Sequence, residues 1–190
     1  IIAITGSCGK TTLKELLGKT LKKISKTTIS PKSYNNKYGV PLSLFNLSEN
    51  DNYGVLEVGM DKKGEIDYLS KIIKPDISVI TNINYAHAKN FKNIKDIALA
   101  KSEIISNTKP HGFVILNADD NFFRLHQKIA TKNNINTISF GIKNRKSDVK
   151  LINVIKNNDN FKITIKAKDF NKSFVISNNF QNNIYNILAT

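Results

Sequence analysis

The chain begins with a short apolar run that leads into a glycine-punctuated loop, and the loop ends in Gly-Lys-Thr-Thr before a helical pattern. Gly6 and Gly9 allow backbone N–H groups to converge on an anion, and the following helix adds its positive N-terminal end. Lys10 can reach the β- and γ-phosphates of a nucleotide, and the Thr11 hydroxyl can hold Mg²⁺. The segment therefore predicts a phosphate-binding loop, with the residues Gly6, Ser7, Cys8, Gly9, Lys10, Thr11 and Thr12.

The glycine spacing of this loop departs from the usual P-loop. The usual first glycine lies six positions before the lysine, where this chain has Ile4, whereas Gly6 lies four positions before it. An ordinary strand-to-helix turn that contains a lysine is the alternative. It is disfavoured because strand, glycines, Lys-Thr pair and helix occur in the required order. Cys8 is interpreted as a small side chain at a variable loop position.

Strand and helix patterns alternate over the first three quarters of the chain, which predicts an α/β fold with a mostly parallel P-loop-type sheet flanked by helices. A small antiparallel β-sheet is predicted toward the C-terminal end, where apolar and polar residues alternate between Asn/Asp-rich turns. Predicted strands are 1–5, 53–58, 77–83, 112–117 and 137–140, and predicted helices are 11–24, 65–73, 94–106 and 121–132. We predict one domain, with its core at 1–147, the antiparallel sheet at 148–181 and the start of a helix at 182–190.

Polar residues at the carboxyl ends of the strands are the candidates for metal and ligand binding, because ligands gather at that edge of such sheets. Glu57 is the strongest candidate to share a Mg²⁺ with Thr11, since it interrupts a buried run. His87 follows the strand that ends near Asn82, and its spacing alone fits a ligand and a surface histidine equally well. Lys101, taken alone, is an ordinary helix lysine. Asp119 and Asp120 are interpreted as caps of the helix at 121–132.

The length, composition and charge of the chain exclude or disfavour several classes of protein. The chain has 190 residues, enough for one sizeable domain, and no apolar run of membrane-spanning length. A single cysteine and no charged-then-apolar leader fit a cytoplasmic protein. The net charge of +14 would favour nucleic acid as a partner, but the lysines are scattered and no basic patch with interleaved aromatic residues stands out. Nucleic-acid binding is therefore disfavoured, and a monomer without membrane insertion is expected.

The motifs in their order and spacing resemble the Mur ligase family, and the resemblance covers the chain from end to end. The displaced glycine of the loop is the form found in that family. The matching segments are Thr5-Gly6-x-x-Gly9-Lys10-Thr11-Thr12, Asn35-Asn36-x-x-Gly39-Val40-Pro41-Leu42, Glu57-Val58-Gly59-Met60 with Gly64-Glu65-Ile66, Asn82-Ile83-x-x-Ala86-His87, Ala100-Lys101-x-Glu103-Ile104 and Asn117-Ala118-Asp119-Asp120.

The resemblance implies roles for individual residues. Lys10 and the loop would bind the phosphates of ATP, while Thr11 and Glu57 would hold one Mg²⁺. His87 matches a ligand of a second Mg²⁺. Lys101 matches a lysine that the family converts to a carbamate, an anionic oxygen ligand that suits Mg²⁺. Lys10, His87 and Lys101 are thus the implied catalytic residues.

Further positions match the ligand-binding loops of the family. Asn35, Asn36 and Asn82 correspond to the substrate side. Asn186 corresponds to an asparagine that contacts adenine. Two neighbours depart from the family pattern, because Asn182 stands where histidine is usual and Phe180 where glycine is usual.

The implied activity is ATP-driven amide bond formation through an acyl phosphate. The motifs agree best with the branch that joins D-alanyl-D-alanine to a UDP-MurNAc-tripeptide in peptidoglycan synthesis. Other amide ligases of the superfamily, of the MurD, MurE, folylpolyglutamate or cyanophycin type, remain alternatives, as do a P-loop kinase or GTPase and a basic nucleic-acid-binding module. The chain starts inside a strand without Met, so it is expected to be the central ATP-binding domain alone, without the family's N- and C-terminal domains and without turnover by itself.

Overall fold

A computed structural model describes residues 1–85, 90–157, 160–168, 170–177 and 183–190, and these residues form a sheet with helices on both faces. The strands are β1 (Ile2–Thr5), β2 (Thr27–Ile29), β3 (Tyr53–Glu57), β4 (Ile77–Ile80), β5 (Phe113–Asn117), β6 (Asn136–Gly141), β7 (Val149–Asn157), β8 (Asn160–Ala167) and β9 (Phe170–Ser177). The helices are α1 (Lys10–Leu21), α2 (Gly39–Phe45), α3 (Glu65–Ile73), α4 (Ile94–Ser106), α5 (Phe123–Lys132) and α6 (Ile184–Leu188).

The strands follow the order β2-β3-β1-β4-β5-β6-β7-β8-β9 across the sheet. Neighbours from β2 to β7 are parallel, and β8 and β9 are added in antiparallel pairing. The predicted fold class is confirmed. The structure adds that the antiparallel strands continue the main sheet, because β7 pairs in parallel with β6 through Phe140↔Val149 and Gly141↔Lys150.

The helices α3 and α4 begin and end where the sequence predicts. In contrast, β2 and α2 were not predicted from the sequence. The strand β2 has three residues and lies at the edge of the sheet, so it carries too little alternation to recognise. The helix α2 has seven residues and begins Gly39-Val40-Pro41. Glycine and proline disfavour a helix prediction, although proline is tolerated in a first turn because its missing N–H would have no intrahelical partner there.

Apolar side chains cover both faces of the central strands. Ala3, Ile4, Leu56 and Val79 have no exposed surface. They divide into one cluster with α3, α4 and α5 and another with α1 and α6. Burial on both faces explains why these strands are nearly continuous apolar runs. It also makes Glu57, a carboxylate at the end of β3, a residue that must be stabilised by polar partners.

Lys14 joins helix α1 to the loop that follows β2. Its side chain is fully buried, and its Nζ donates a hydrogen bond of 2.6 Å to the carbonyl of Ser30 and another to the carbonyl of Lys32. The Ser30 hydroxyl in turn accepts a hydrogen bond from the backbone N–H of Glu57. Lys14 therefore holds the segment that leads to Asn35 against the end of β3.

Within the described ranges, none of the helices is both long and apolar enough to cross a membrane.

Replacing Lys14 with Met should destabilise the chain. The substitution keeps the aliphatic volume but leaves two loop carbonyls without their donor, and an unpaired buried polar group costs about 2 kcal/mol. Urea unfolding of Lys14→Met should show a free energy of unfolding lower by about that amount. Lys19→Met, an exposed position on the same helix, is the matched control. Equal unfolding midpoints for the two variants would contradict the role assigned to Lys14.

Candidate functional site

The loop between β1 and α1 lies directly against the end of β4. Gly6 has a φ of 145°, and a Cβ at this position would come within 1.9 Å of the Thr81 hydroxyl oxygen. Gly9, with a φ of 80°, is in the left-handed region at the start of α1. Both positions require glycine, the first because of the close approach and the second because of its backbone angles. Helix α1 begins directly after Gly9, and the free N–H groups at a helix start suit an anion.

Side chains at the end of β4 fix the backbone of this loop. The Thr81 hydroxyl and the Asn82 amide both donate hydrogen bonds to the carbonyl of Cys8, at 2.7 and 3.0 Å. The Asn82 side-chain oxygen accepts a hydrogen bond of 3.0 Å from the N–H of Cys8. The backbone of Ser7 also donates to the carbonyl of Asn82. Asn82 thus uses both ends of its carboxamide to hold the loop, and its predicted contact with substrate stays a prediction.

Two lysines from distant parts of the chain meet at one carbonyl. The Nζ atoms of Lys10, at the start of α1, and of Lys101, in the middle of α4, each lie 3.0 Å from the carbonyl oxygen of Gly6. Lys101 is 1% exposed. Burial, with a smaller contribution from the charge of Lys10, lowers the pKa of Lys101 to about 7. A large fraction of this amine is therefore uncharged near neutral pH, unlike that of an ordinary lysine.

Glu57 lies at the end of β3 and is held from two sides. Its Oε2 accepts a hydrogen bond of 2.7 Å from the Thr11 hydroxyl, and its Oε1 accepts one of 2.7 Å from the Asn35 amide. The carboxylate is 1% exposed, so these donors offset its loss of water. Two hard oxygen ligands, one hydroxyl and one carboxylate, are thus adjacent beside the phosphate loop.

This donor set fits Mg²⁺, which takes one or two protein oxygens and completes its coordination with water and substrate phosphates. Over the ranges that the structure describes, no group of three or more His, Cys, Asp or Glu side chains could enclose a metal by itself. His87, the residue predicted for a second metal, lies outside the described residues, as do Phe180 and Asn182. The assignment of His87 stays a prediction from the sequence.

A cavity of about 460 Å³ opens beside Lys10. Asn35 and Asn36 line it on one side and the first turns of α3 on the other. The side-chain oxygen of Asn36 accepts hydrogen bonds from the N–H groups of Tyr38 and Gly39, at 3.1 and 3.0 Å, so it caps the start of α2. Both asparagines predicted for the substrate side therefore face one concave space next to the phosphate loop.

Helix α6 brings Asn186 against the phosphate-binding loop. A Cβ on Gly9 would lie 3.2 Å from the side-chain oxygen of Asn186, so the amide of α6 is in contact with the glycine that begins α1. The predicted nucleotide residues Lys10, Thr11 and Asn186 are thus brought together from opposite ends of the chain. Thr12 is exposed beside Thr11, and Cys8 is an exposed free cysteine in the loop.

Asp119 has a role that the sequence analysis missed. Asp120 lies just before α5, and its carboxylate accepts hydrogen bonds from the N–H groups of Phe122, at 2.8 Å, and of Ile83, at 2.7 Å. Asp119 does not cap this helix. Its carboxylate accepts hydrogen bonds from backbone N–H groups in the loop after β6 and from the Tyr185 hydroxyl of α6. These partners lie 23 to 66 positions away in sequence, so no local pattern could reveal them.

Glu103 caps the start of helix α3 from a distant part of the chain. Its carboxylate, on α4, accepts hydrogen bonds from the N–H groups of Gly64 and Asp67 at the start of α3. Burial raises the pKa of Glu103, and the two backbone donors counteract this only in part. Lys101 lies two positions before Glu103 on α4. The contact therefore joins α4, which carries Lys101, to α3, which borders the cavity. The signal in the sequence was the segment Lys101-x-Glu103, which the resemblance singled out without giving Glu103 a role.

The fold and the loop define an α/β domain of P-loop type, and comparison with known proteins identifies its family. Residues 4–190 match the Mur ligase middle domain. The chain therefore belongs to the Mur ligase family. A UDP-N-acetylmuramoyl-tripeptide–D-alanyl-D-alanine ligase of Buchnera aphidicola from Acyrthosiphon pisum is 44% identical over 146 residues, which are 77% of this chain and 32% of that protein.

Solved structures agree with this assignment. The crystal structure of MurF from Acinetobacter baumannii superposes with a TM-score of 0.90 at 32% identity and covers 99% of this chain and 40% of that one. MurF from Thermotoga maritima in complex with ADP gives a TM-score of 0.88 at 30% identity, over 99% of this chain and 43% of that one. The chain spans about a third of the length of two curated relatives that it matches.

The lowered pKa of Lys101 should make stability depend on pH. The folded chain has a pKa of about 7 at this amine against 10.5 for the free group, so the unfolded chain binds more protons between these values. Stability contributed by this residue must therefore rise with pH across that window. Between pH 7 and 9 in CO₂-free buffer, the free energy of unfolding should rise by about 2 kcal/mol relative to Lys101→Met.

Urea unfolding at the two pH values measures this difference. Lys95→Met, an exposed lysine of the same helix, serves as the control and should keep the pH dependence of the unmodified chain. If Lys101→Met and Lys95→Met respond to pH alike, the amine of Lys101 has an ordinary pKa.

Proposed function

We propose that this chain is the ATP-binding middle domain of a ligase that joins D-alanyl-D-alanine to a UDP-MurNAc-tripeptide. The observation that carries the proposal is the meeting of Lys10 and Lys101 at the Gly6 carbonyl. A loop that binds a phosphate alone needs only the first lysine. Lys101 is buried and has a pKa of about 7, and its presence supports a ligase rather than a P-loop kinase or GTPase.

The proposed roles follow the positions of the side chains. The loop N–H groups and Lys10 bind the ATP phosphates, and Asn186 faces the adenine end. Thr11 and Glu57 hold one Mg²⁺, and Lys101 and His87 serve a second. The metal ions, when bound, would neutralise the charge of the phosphates and of the substrate oxygens.

Lys101 is proposed to react with CO₂. A neutral amine attacks the carbon of CO₂, and loss of one proton from nitrogen gives a carbamate that carries a single negative charge. Burial supports this step, because a pKa of about 7 leaves much of the amine uncharged where an ordinary lysine would be protonated. The product would place an anion beside the positive charge of Lys10, so the two side chains would attract each other.

The reaction proposed for the site begins with a carboxylate of the acceptor peptide. One of its oxygens attacks the γ-phosphorus of ATP, the bond to ADP breaks, and an acyl phosphate forms. The amine of the second substrate then attacks the acyl carbon, loses a proton, and expels phosphate. Lys10 stabilises the negative charge on the transferred phosphoryl group, and the fixed loop N–H groups do so without reorganisation.

The acceptor peptide is proposed to enter through the cavity beside Lys10. Asn35 and Asn36 supply amide groups to its wall, and Asn35 is already held by Glu57. An acceptor carboxylate at the Lys10 end of this cavity would lie next to the phosphate loop. The reaction is proposed to occur in the cytoplasm with a monomeric protein.

The proposal predicts ATP-dependent amide formation by the protein as its gene encodes it. With UDP-MurNAc-tripeptide, D-alanyl-D-alanine, ATP and Mg²⁺, ADP release should equal product formation measured by mass spectrometry. Lys10→Met should lower kcat by about a thousandfold because it removes a cation from the transition state. Lys19→Met should retain activity. ADP release with glutamate or a diaminoacid as the better amine would assign the protein to another amide ligase of the superfamily.

Carbamate formation at Lys101 can be observed directly. In buffer with ¹³C-bicarbonate, the protein should show a carbamate carbon signal in the NMR spectrum, and this signal should grow with pH through about 7 as the amine loses its proton. Lys101→Arg should remove the signal, whereas Lys95→Arg on the same helix should retain it. A spectrum without a carbamate signal between pH 7 and 9 would refute the modification.

A further inference from the structure

Helix α6 is too short to hold its own position. It has five residues, and isolated helices of that length are unstable in water because nucleation is unfavourable. Ile184 and Leu188 pack against the cluster of α1 and β6, which holds the helix to the core. Apolar contacts are not directional, so they leave the rotation of a short helix weakly determined. The Asn186 amide contacts Gly9 and donates a hydrogen bond of 3.5 Å to Asn183, which lies in the same short segment and does not orient the helix. The placement of Asn186 therefore depends on a directional contact made elsewhere in α6.

Tyr185 provides that contact. Its ring packs in the same cluster, and its hydroxyl lies 3.1 Å from Oδ2 of Asp119. Burial raises the pKa of Tyr185 to about 12, and the adjacent carboxylate adds to the effect. The phenol is therefore protonated under all ordinary conditions, and it donates to Asp119.

Asp119 is a fixed anchor for this bond. The backbone N–H groups of Ile142 and Lys143 donate to its Oδ2 at 2.6 and 2.9 Å, and that of Asn144 donates to its Oδ1 at 2.7 Å. Burial acts to raise the pKa of Asp119, but these donors outweigh it and the pKa is lowered. The carboxylate is ionised and its orientation is set by three bonds. The Tyr185 hydroxyl thus binds an acceptor that cannot rotate away.

We propose that the Tyr185–Asp119 hydrogen bond positions the base end of the nucleotide site. It fixes the rotation of α6 and so holds Asn186 against the first turn of α1. Tyr185 is a positioning residue, since it acts through its neighbour Asn186. This inference rests on the proposed function, because it requires that the base of ATP binds on the side of the loop where Asn186 lies.

Tyr185→Phe in the protein as its gene encodes it tests the proposal. The variant keeps the ring in the cluster and loses only the hydroxyl. We expect KM for ATP to rise about tenfold, as for a lost hydrogen bond to a charged acceptor, while kcat and the KM values for the other two substrates stay the same. Tyr53→Phe removes a hydroxyl from another tyrosine of the same cluster and should leave every constant unchanged.

A second variant separates positioning from general destabilisation. Asp119→Asn replaces one accepting oxygen with a donor and weakens the same bond. If the two residues act through one bond, the rise in the KM for ATP of the double variant should be smaller than the product of the two single effects. A multiplied effect, an unchanged KM in Tyr185→Phe, or an equal fall of kcat with all substrates would overturn the inference.

Different results would refute the proposed function and the role of Tyr185. An unmodified protein that forms no amide product would refute the proposed function and with it the basis of the inference. An active unmodified protein whose Tyr185→Phe variant keeps its KM for ATP would refute the positioning role alone.

Discussion

The carbonyl of Gly6 is the point on which the candidate site depends, because it accepts hydrogen bonds from two lysines at once. Two ammonium groups at one oxygen repel each other, and the inner one has lost its water. The arrangement is tolerated because burial lowers the pKa of Lys101 to about 7, so the buried amine loses its proton near neutral pH far more readily than an ordinary lysine. The same constraint fixes four elements, since β1 supplies the loop, α1 and α4 supply the lysines, and β4 supports the loop.

Near this point, the buried charged groups of Glu57 and Lys14 are compensated by partners from distant segments. Glu57 is bound by Thr11 and Asn35, and Lys14 binds the loop that leads to Asn35. These contacts form one chain of donors and acceptors from α1 through the loop after β2 to the end of β3. A charge buried in a low-dielectric interior is costly unless paired, so the sheet edge is rigid where a ligand would bind. Rigidity of this kind favours electrostatic stabilisation without reorganisation.

The elements that could be predicted from the sequence are those with a regular spacing of apolar residues. Helices α3 and α4 have a helical pattern, with Lys74-Pro75 as a stop signal after α3, and their bounds were predicted from the sequence. The strand β2 and the helix α2 were missed because three residues at a sheet edge and a glycine- and proline-containing helix carry little periodic signal. The continuation of the sheet through β7 was not readable from local pattern, because alternation shows that strands exist but not which neighbour they pair with.

The sequence by itself determined the kind of chemistry available: a loop of glycines with Lys10 and Thr11, a carboxylate at a strand end, and an order of motifs that resembles one family. It also determined the class of fold, since strands alternating with helices leave few arrangements. Only the tertiary structure decided which groups meet. From the sequence, Lys101 is an ordinary helix lysine and Asp119 is interpreted as a helix cap. In the folded chain, Lys101 meets the phosphate loop and Asp119 binds the loop after β6 and Tyr185. The physical reason is that pKa values and hydrogen-bond partners are set by burial and distance in space, which separation along the chain does not encode.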